Sequence, residues 1–120
     1  MEAMSAITVE LPYPPSVNHY WRRVGARTLI SVGGRRFRKR VCAILKDRVD
    51  RALSGPVRVQ VDVHPPDRRR RDLDNIQKSL LDALEHAGVF LDDSQIVDLH
   101  VTRCCIKAGG KVVVRVEGAR

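Results

Sequence analysis

Hydrophobic and polar positions alternate at four places along the chain and recur at helical spacing at two. Ile7, Val9 and Leu11 alternate with Thr8 and Glu10, which predicts a strand that Pro12, Pro14 and Pro15 end. Val57, Val59, Val61 and Val63 alternate with Arg58, Gln60, Asp62 and His64. This is the cleanest strand pattern, and Pro65 and Pro66 close it. Ile96–Ile106 predicts a strand with Val97, Leu99 and Val101 on one face and a bulge or strand end at Arg103, where the alternation fails. Val112, Val114 and Val116 mark a last strand, joined to the previous one as a hairpin through Ala108-Gly109-Gly110. Phe37, Val41, Ile44, Leu45, Val49 and Ala52 fall three or four apart and predict a helix over Arg35–Leu53, ended by Gly55 and Pro56. Leu73, Ile76, Leu80, Leu84 and Ala87 predict a second helix over Leu73–His86, with Gly88 at its C-terminal cap. Ser16–Gly34 has no period, carries Arg22, Arg23 and Arg27, and reads as an exposed loop.

The predicted order is therefore β-α-β-α-β-β. Burying these stripes requires an α/β (α+β) fold: one small domain over residues 1–120, with a mixed sheet and two helices packed on it. No internal repeat, low-complexity run or inter-domain linker is visible.

Composition changes the picture chiefly through charge. Twenty-two Lys and Arg face 14 Asp and Glu, a net charge of +8 on 120 residues, which favours a polyanionic partner. A membrane is the competing polyanion, but no segment approaches the roughly 18 apolar residues of a spanning helix, and Met1–Val9 lacks the basic start and apolar run of a leader. Cys42, Cys104 and Cys105 have no zinc or disulfide spacing and read as reduced thiols of a cytoplasmic protein.

The densest chemistry lies in Asp67-Arg68-Arg69-Arg70-Arg71-Asp72-Leu73-Asp74-Asn75-Ile76-Gln77-Lys78, between the valine strand and the second helix. Asp72 and Asp74 are two apart, so on extended backbone their carboxylates share a face. Such a pair repels itself unless a cation joins it, and Mg²⁺ suits an all-oxygen site. Asp92, Asp93 and Asp98 follow the second helix, which returns them near the first pair if it folds back along the strand. Lys78 stands one turn after Asp74, where it can meet a scissile phosphate. A plainer reading stays open: Asp72 or Asp74 caps the helix, Asp92-Asp93 forms a polar turn, and Lys78 pairs with Asp74 or Asp82.

Two arginine-rich clusters complete the pattern. One is Arg68, Arg69, Arg70 and Arg71. The other, from Arg22 to Arg51, holds 11 Lys and Arg against Asp47 and Asp50 and includes Arg35, Arg36, Arg38, Lys39 and Arg40 bunched without nearby acids. Guanidinium forks grip phosphates and position a nucleic acid through its backbone. Aromatics are too few for a single-strand stacking platform. Tyr20 and Trp21 either wedge between bases or, the plainer reading, anchor the loop.

Taken in order, several segments resemble the RusA family of Holliday junction resolvases over nearly the whole chain. They are Leu11-Pro12-Tyr13-Pro14-Pro15-Ser16-Val17-Asn18; Pro66–Asn75 with Lys78; Asp82-Ala83-Leu84; Ala87-Gly88; Leu91-Asp92-Asp93-Ser94-Gln95-Ile96-Val97-Asp98; and the Lys107–Lys111 turn. The resemblance implies a dimeric mixed α/β nuclease that cuts opposing strands of a four-way DNA junction. It implies catalytic, metal-holding aspartates at Asp72, Asp74 and Asp93, a functional lysine at Lys78, and Mg²⁺, with Mn²⁺ as a substitute. Asp92 lies beside this set, and Asn18 and Asn75 fall inside the family motifs. The expected setting is the cytoplasm of a bacterial or phage-infected cell, with a homodimer and junction DNA as partners and neither membrane nor small-molecule cofactor. Two other classes fit the residues alone: a non-catalytic DNA-binding module, and a metal-dependent nuclease for another branched nucleic acid.

Overall fold

A β-branched residue at every second position makes Val57–His64 a strand that can bury only one face. In the computed structural model, which describes residues 6–119, Val57, Val59, Val61 and Val63 are each at most 1% exposed. Met1–Ser5, part of the stretch read for a leader, lie outside the described residues, as does Arg120. The strand is β4. It joins β1 (Ala6–Pro12), β5 (Ile96–Arg103) and β6 (Lys111–Gly118) in a four-stranded sheet of order β1-β6-β4-β5. β6 is antiparallel to both neighbours, with Val114 opposite Val9 on one side and Val61 on the other. β4 and β5 run parallel.

The expected hairpin between the last two strands does not form. Val112, Val114 and Val116 are all 0% exposed and take the sheet centre, paired on both sides by β1 and β4. The chain after β5 runs on beside β4 instead: Cys104 N donates to Val63 O (2.7 Å) and Lys107 N to Pro65 O (3.0 Å). β5 is then an edge strand. A register shift opposite Val57/Arg58 turns Val97 out of its expected face, to 64% exposure, and Leu99 at the sheet margin is 42% exposed.

Two helices cover the valine face. In α2 (Val32–Leu45), Phe37, Val41 and Leu45 are buried; in α3 (Gln77–His86), Leu80, Ala83 and Leu84 are. Each fully buried side chain of this kind contributes about 1.5–3 kcal/mol. α2 starts before Arg35 because Ser31 Oγ accepts from Gly34 N (2.9 Å), capping it there. It ends at Leu45 rather than Leu53, and a turn then brings Val49 and Leu53 onto the core, Leu53 bridging to Phe90. Leu73–Ile76, expected in the second helix, is a 3-10 turn leading into α3. No helix among the described residues is long and apolar enough to cross a membrane.

Ser16–Gly34 is not a loop. It forms a short helix, α1 (Val17–Tyr20), and a hairpin of β2 (Trp21–Val24) and β3 (Arg27–Ile30), with Gly25 at φ 60° in the turn. Tyr20 is 0% exposed, so it belongs to the core, and Trp21 packs edge-on against it, ring centroids 5.0 Å apart.

Candidate active site

The crossover from β4 to β5 carries most of the acids singled out in the sequence. It leaves the sheet at Pro65-Pro66 and at once forms an Asx-type turn. The Asp67 carboxylate accepts from Arg69 N (2.9 Å) and from both terminal nitrogens of Arg71 (2.5 and 3.2 Å). The Arg71 hydrogen bond, then the Arg69 N–H, hold the Asp67 carboxyl down at about 2. Arg71 also lies over the Tyr13 ring, 6.0 Å from its centroid, and its carbonyl accepts from Arg103 (2.7 Å). Arg71 is therefore committed to building the turn. Arg68, Arg69 and Arg70 are exposed and pair with no carboxylate among the described residues.

Asp72 keeps extended backbone (φ −90°, ψ 137°) at the N-cap position of the Leu73–Ile76 turn. A carboxylate there normally caps, yet Asp72 makes no side-chain cap hydrogen bond. It lines a cleft of about 540 Å³ together with Tyr13, Ser16, His19, Arg69–Arg71 and Asn75. Asp74 sits inside the 3-10 turn, so the extended i, i+2 geometry expected for the pair stops at Asp72. Asp74 and Lys78 are both exposed, and Lys78 has no carboxylate within 4.0 Å among the described residues, which removes its expected pairing with Asp74 or Asp82. Asn18 is exposed on α1 and does not line the cleft.

The crossover's other end is also acidic. Asp92 begins the 3-10 turn Asp93–Gln95 with a capping box: its carboxylate accepts from Ser94 N (2.8 Å), and Gln95 Oε1 accepts from Asp92 N (2.9 Å). The Ser94 N–H holds the Asp92 carboxyl below the usual range. Asp92 thus has a structural role. Asp93 N donates to Glu85 Oε1 (2.9 Å), and one carboxylate oxygen from each of Glu85, Asp92 and Asp93 lies within 4.8 Å of the others. An all-oxygen set of this kind suits a hard divalent cation. Sequence reasoning missed Glu85; its position in the last turn of α3, facing the Asp-Asp return, is the signal that finds it.

α3 does fold back along the strands, but this carries Asp93 away from Asp72. Because β4 and β5 are parallel, with Val57 opposite Ile96 and Val63 opposite Arg103, the crossover leaves at one end of the sheet and returns at the other. A ten-residue α3 alone spans about 15 Å. One chain therefore brings Asp93 to Glu85 and Asp92, and leaves Asp72 and Asp74 at the opposite end.

The basic face of α2 divides. Arg35, Arg36, Lys39 and Arg40 are exposed. Arg38, expected on the same face, turns inward. It pairs with Asp82 (2.7 Å) and donates from Nε to the Tyr20 hydroxyl (3.3 Å), while that hydroxyl donates to Asp82. Burial, then the Asp82 hydrogen bond, push Tyr20 up to about 12. Arg38 has an acidic partner that the sequence hid, 44 residues away, so it holds the fold together.

The family model described as Endodeoxyribonuclease RusA matches residues 12–117. The chain is similar to proteins named crossover junction endodeoxyribonuclease RusA. It is 44% identical over 110 residues to those of Escherichia coli (strain K12) and Enterobacteria phage 82, and 43% identical over 110 residues to that of Escherichia coli O139:H28. Each alignment covers 91% of this chain and 92% of the relative. A family match over nearly the whole sequence, and relatives at this identity and coverage, establish that the chain belongs to the RusA family of endodeoxyribonucleases.

Proposed function

We propose that this protein is a structure-selective DNA endonuclease that resolves Holliday junctions, with Mg²⁺ as its metal, acting as a homodimer in the cytoplasm. The observation that carries the reading is the Asp72 carboxylate. It stands where a cap is expected, caps nothing, and opens into a cleft flanked by Arg69 and Arg70 in a chain of net charge +8. A protein that only bound DNA would gain nothing from a free carboxylate among its phosphate-gripping arginines.

Asp72, Asp74 and Asp93 are the proposed metal holders, with Glu85 supporting Asp93. Their carboxylate oxygens fit a hard cation, which when bound supplies Lewis acidity toward the phosphodiester. Because one chain holds Asp72 and Asp74 at the far end of its crossover from Asp93, the three meet only if Asp93 comes from the second subunit. A two-fold dimer makes two such sites, which suits symmetric cutting of a two-fold junction. Within each subunit, Arg68, Arg69 and Arg70, with Arg35, Arg36, Lys39 and Arg40 of α2, grip the backbone. Arg71 shapes the turn, Asn75 lines the cleft beside the strand to be cut, and Lys78, which has no carboxylate partner among the described residues, brings its ammonium toward the charge that develops on the phosphoryl group.

The test is cleavage of a labelled four-way junction beside a linear duplex and a flap, with and without Mg²⁺. Paired symmetric cuts in the junction alone, only with Mg²⁺, and lost in Asp72→Asn while binding persists, support the reading. Tight binding without a cut points to a binding module, and preferential flap cutting to a nuclease for another branched structure. Mixing Asp72→Asn with Asp93→Asn subunits tests the shared site. Each variant alone is inactive, whereas a mixed dimer regains one intact site and nicks the junction. No recovery on mixing refutes the shared site.

A further inference from the structure

We propose that His19 is a substrate-contacting residue: its imidazole Nε2–H donates to a phosphate oxygen of the DNA strand lying in the cleft beside Asp72. This rests on the nuclease reading above. His19 lines the same cleft as Asp72, Asn75 and the arginine turn. Its other ring nitrogen is already taken, Ser16 Oγ lying 2.8 Å from Nδ1. Ser16 occupies the N-cap position of α1 and makes no side-chain cap hydrogen bond. A serine hydroxyl there is normally the cap, so this one gives up its local role for the imidazole. Where Ser16 Oγ donates to Nδ1, the neutral ring carries its proton on Nε2, and the imidazolium, with Nδ1 donating to Ser16 instead, carries one there too. In these two forms the nitrogen left for a ligand is a donor, which an anionic phosphate accepts, and a phosphate at Nε2 itself favours them over the Nδ1–H tautomer.

The exposed ring stands on backbone that is held from several sides. His19 O accepts from Ser31 Oγ (2.6 Å), and Ser31 in turn caps α2. The next residue, Tyr20, is buried and tied to Asp82 of α3. Pro15 O accepts from the buried Ser79 Oγ (2.6 Å). Two helices thus fix four-residue α1 against the acidic end of the crossover, although α1 is too short to hold its own shape. Backbone held on packed elements, with one ring nitrogen hydrogen-bonded to Ser16, preorganises the other for a polar contact. Within the cleft Arg71 is engaged by Asp67 and Asp72 repels phosphate, so a strand seated there needs a fixed donor besides the exposed Arg69 and Arg70.

The experiment measures kcat and KM on a four-way junction with Mg²⁺, and junction Kd in EDTA, for wild type, His19→Ala, His19→Gln and Ser16→Ala. A hydrogen bond to a charged group predicts a loss in kcat/KM of roughly ten- to hundredfold for His19→Ala. Most of it returns in His19→Gln, whose amide nitrogen reaches the place of Nε2. Ser16→Ala falls between, and all variants keep the wild-type melting temperature. Wild-type kcat/KM and Kd in His19→Ala overturn the proposal, as does an equal loss in the Ala and Gln variants. If wild type itself does not cut the junction, the nuclease reading fails separately, and His19 is still judged by whether His19→Ala weakens junction Kd in EDTA.

Discussion

Replacing Gly34 by alanine sets two principles against each other with opposite signs. Gly34 lies in the first turn of α2 and is buried. On helix propensity alone, alanine in place of a helical glycine stabilises by about 1 kcal/mol. The surroundings say otherwise. A Cβ at Gly34 overlaps the Tyr20 carbonyl oxygen, comes to 2.9 Å from Ile30 Cγ1 and to 3.1 Å from Tyr20 Cδ1. The carbonyl cannot yield freely, because it accepts from Ser31 N at 2.8 Å and belongs to a residue whose ring is fully buried. Forcing backbone apart in a packed site costs about 1–3 kcal/mol. Losing the Ser31–Tyr20 hydrogen bond adds about 1 kcal/mol. Against a propensity gain of about 1 kcal/mol, the net expectation is a destabilisation of about 1–3 kcal/mol. Urea unfolding followed by far-UV circular dichroism measures it, provided the m-value is unchanged. A Gly34→Ala protein as stable as wild type, or more so, refutes the close approach of α1 to α2.

Two further predictions use the same elements. Arg35→Ala and Arg38→Ala, three positions apart on α2, should behave as opposites. The first weakens junction binding and reduces the slope of log K against log salt by about 0.9 for each phosphate it no longer neutralises. The second leaves the slope unchanged and lowers the melting temperature, because it strips Asp82 and Tyr20 of their partner; equal slope changes in both refute the division of the α2 face. Tyr20 gives a pH dependence. Its pKa in the folded state is raised from 10.0 to about 12, so the folded protein keeps a proton that the unfolded chain loses above pH 10. This contribution is fully present below pH 10 and fades as pH rises toward 12. Denaturant midpoints from pH 9 to 11.5 should fall less steeply in Tyr20→Phe than in wild type, and parallel slopes contradict the assignment.

What the sequence reveals depends on how much of each element is buried. β1, β4 and β6 are legible because one face of each meets the core, so valine and leucine alternate. β2 and β3 escape notice because a two-stranded ribbon exposed on most of its length carries no such alternation; Arg22, Arg23, Arg27 and Thr28 are all exposed. The usable signal was two four-residue runs around Gly25, with Trp21 and Ile30 at their ends. The position of β6 is illegible for another reason: alternation gives faces, not neighbours, and proximity in sequence favoured a hairpin. At the site, residue types and motif order pointed to the segments that carry the Asp72 cleft and the Glu85, Asp92 and Asp93 cluster. Arrangement did not follow, since the parallel crossover carries Asp93 away from Asp72, and Arg38 finds its carboxylate on an element far along the chain.

The position of β6 also bears on when this enzyme can come into being. Synthesis proceeds from the N-terminus, and β6 is the last strand made, yet it lies between β1 and β4. Ile7 waits for Val116, so the ribosome holds a chain whose first strand has no partner and whose valine strand is bare along one side. Closing so long a loop is slow compared with local folding. The sheet, and with it the platform for the crossover, assembles only once β6 has been made. A chain cut before β6 leaves β1 and β4 without the strand that joins them, and so has no sheet on which to mount the crossover.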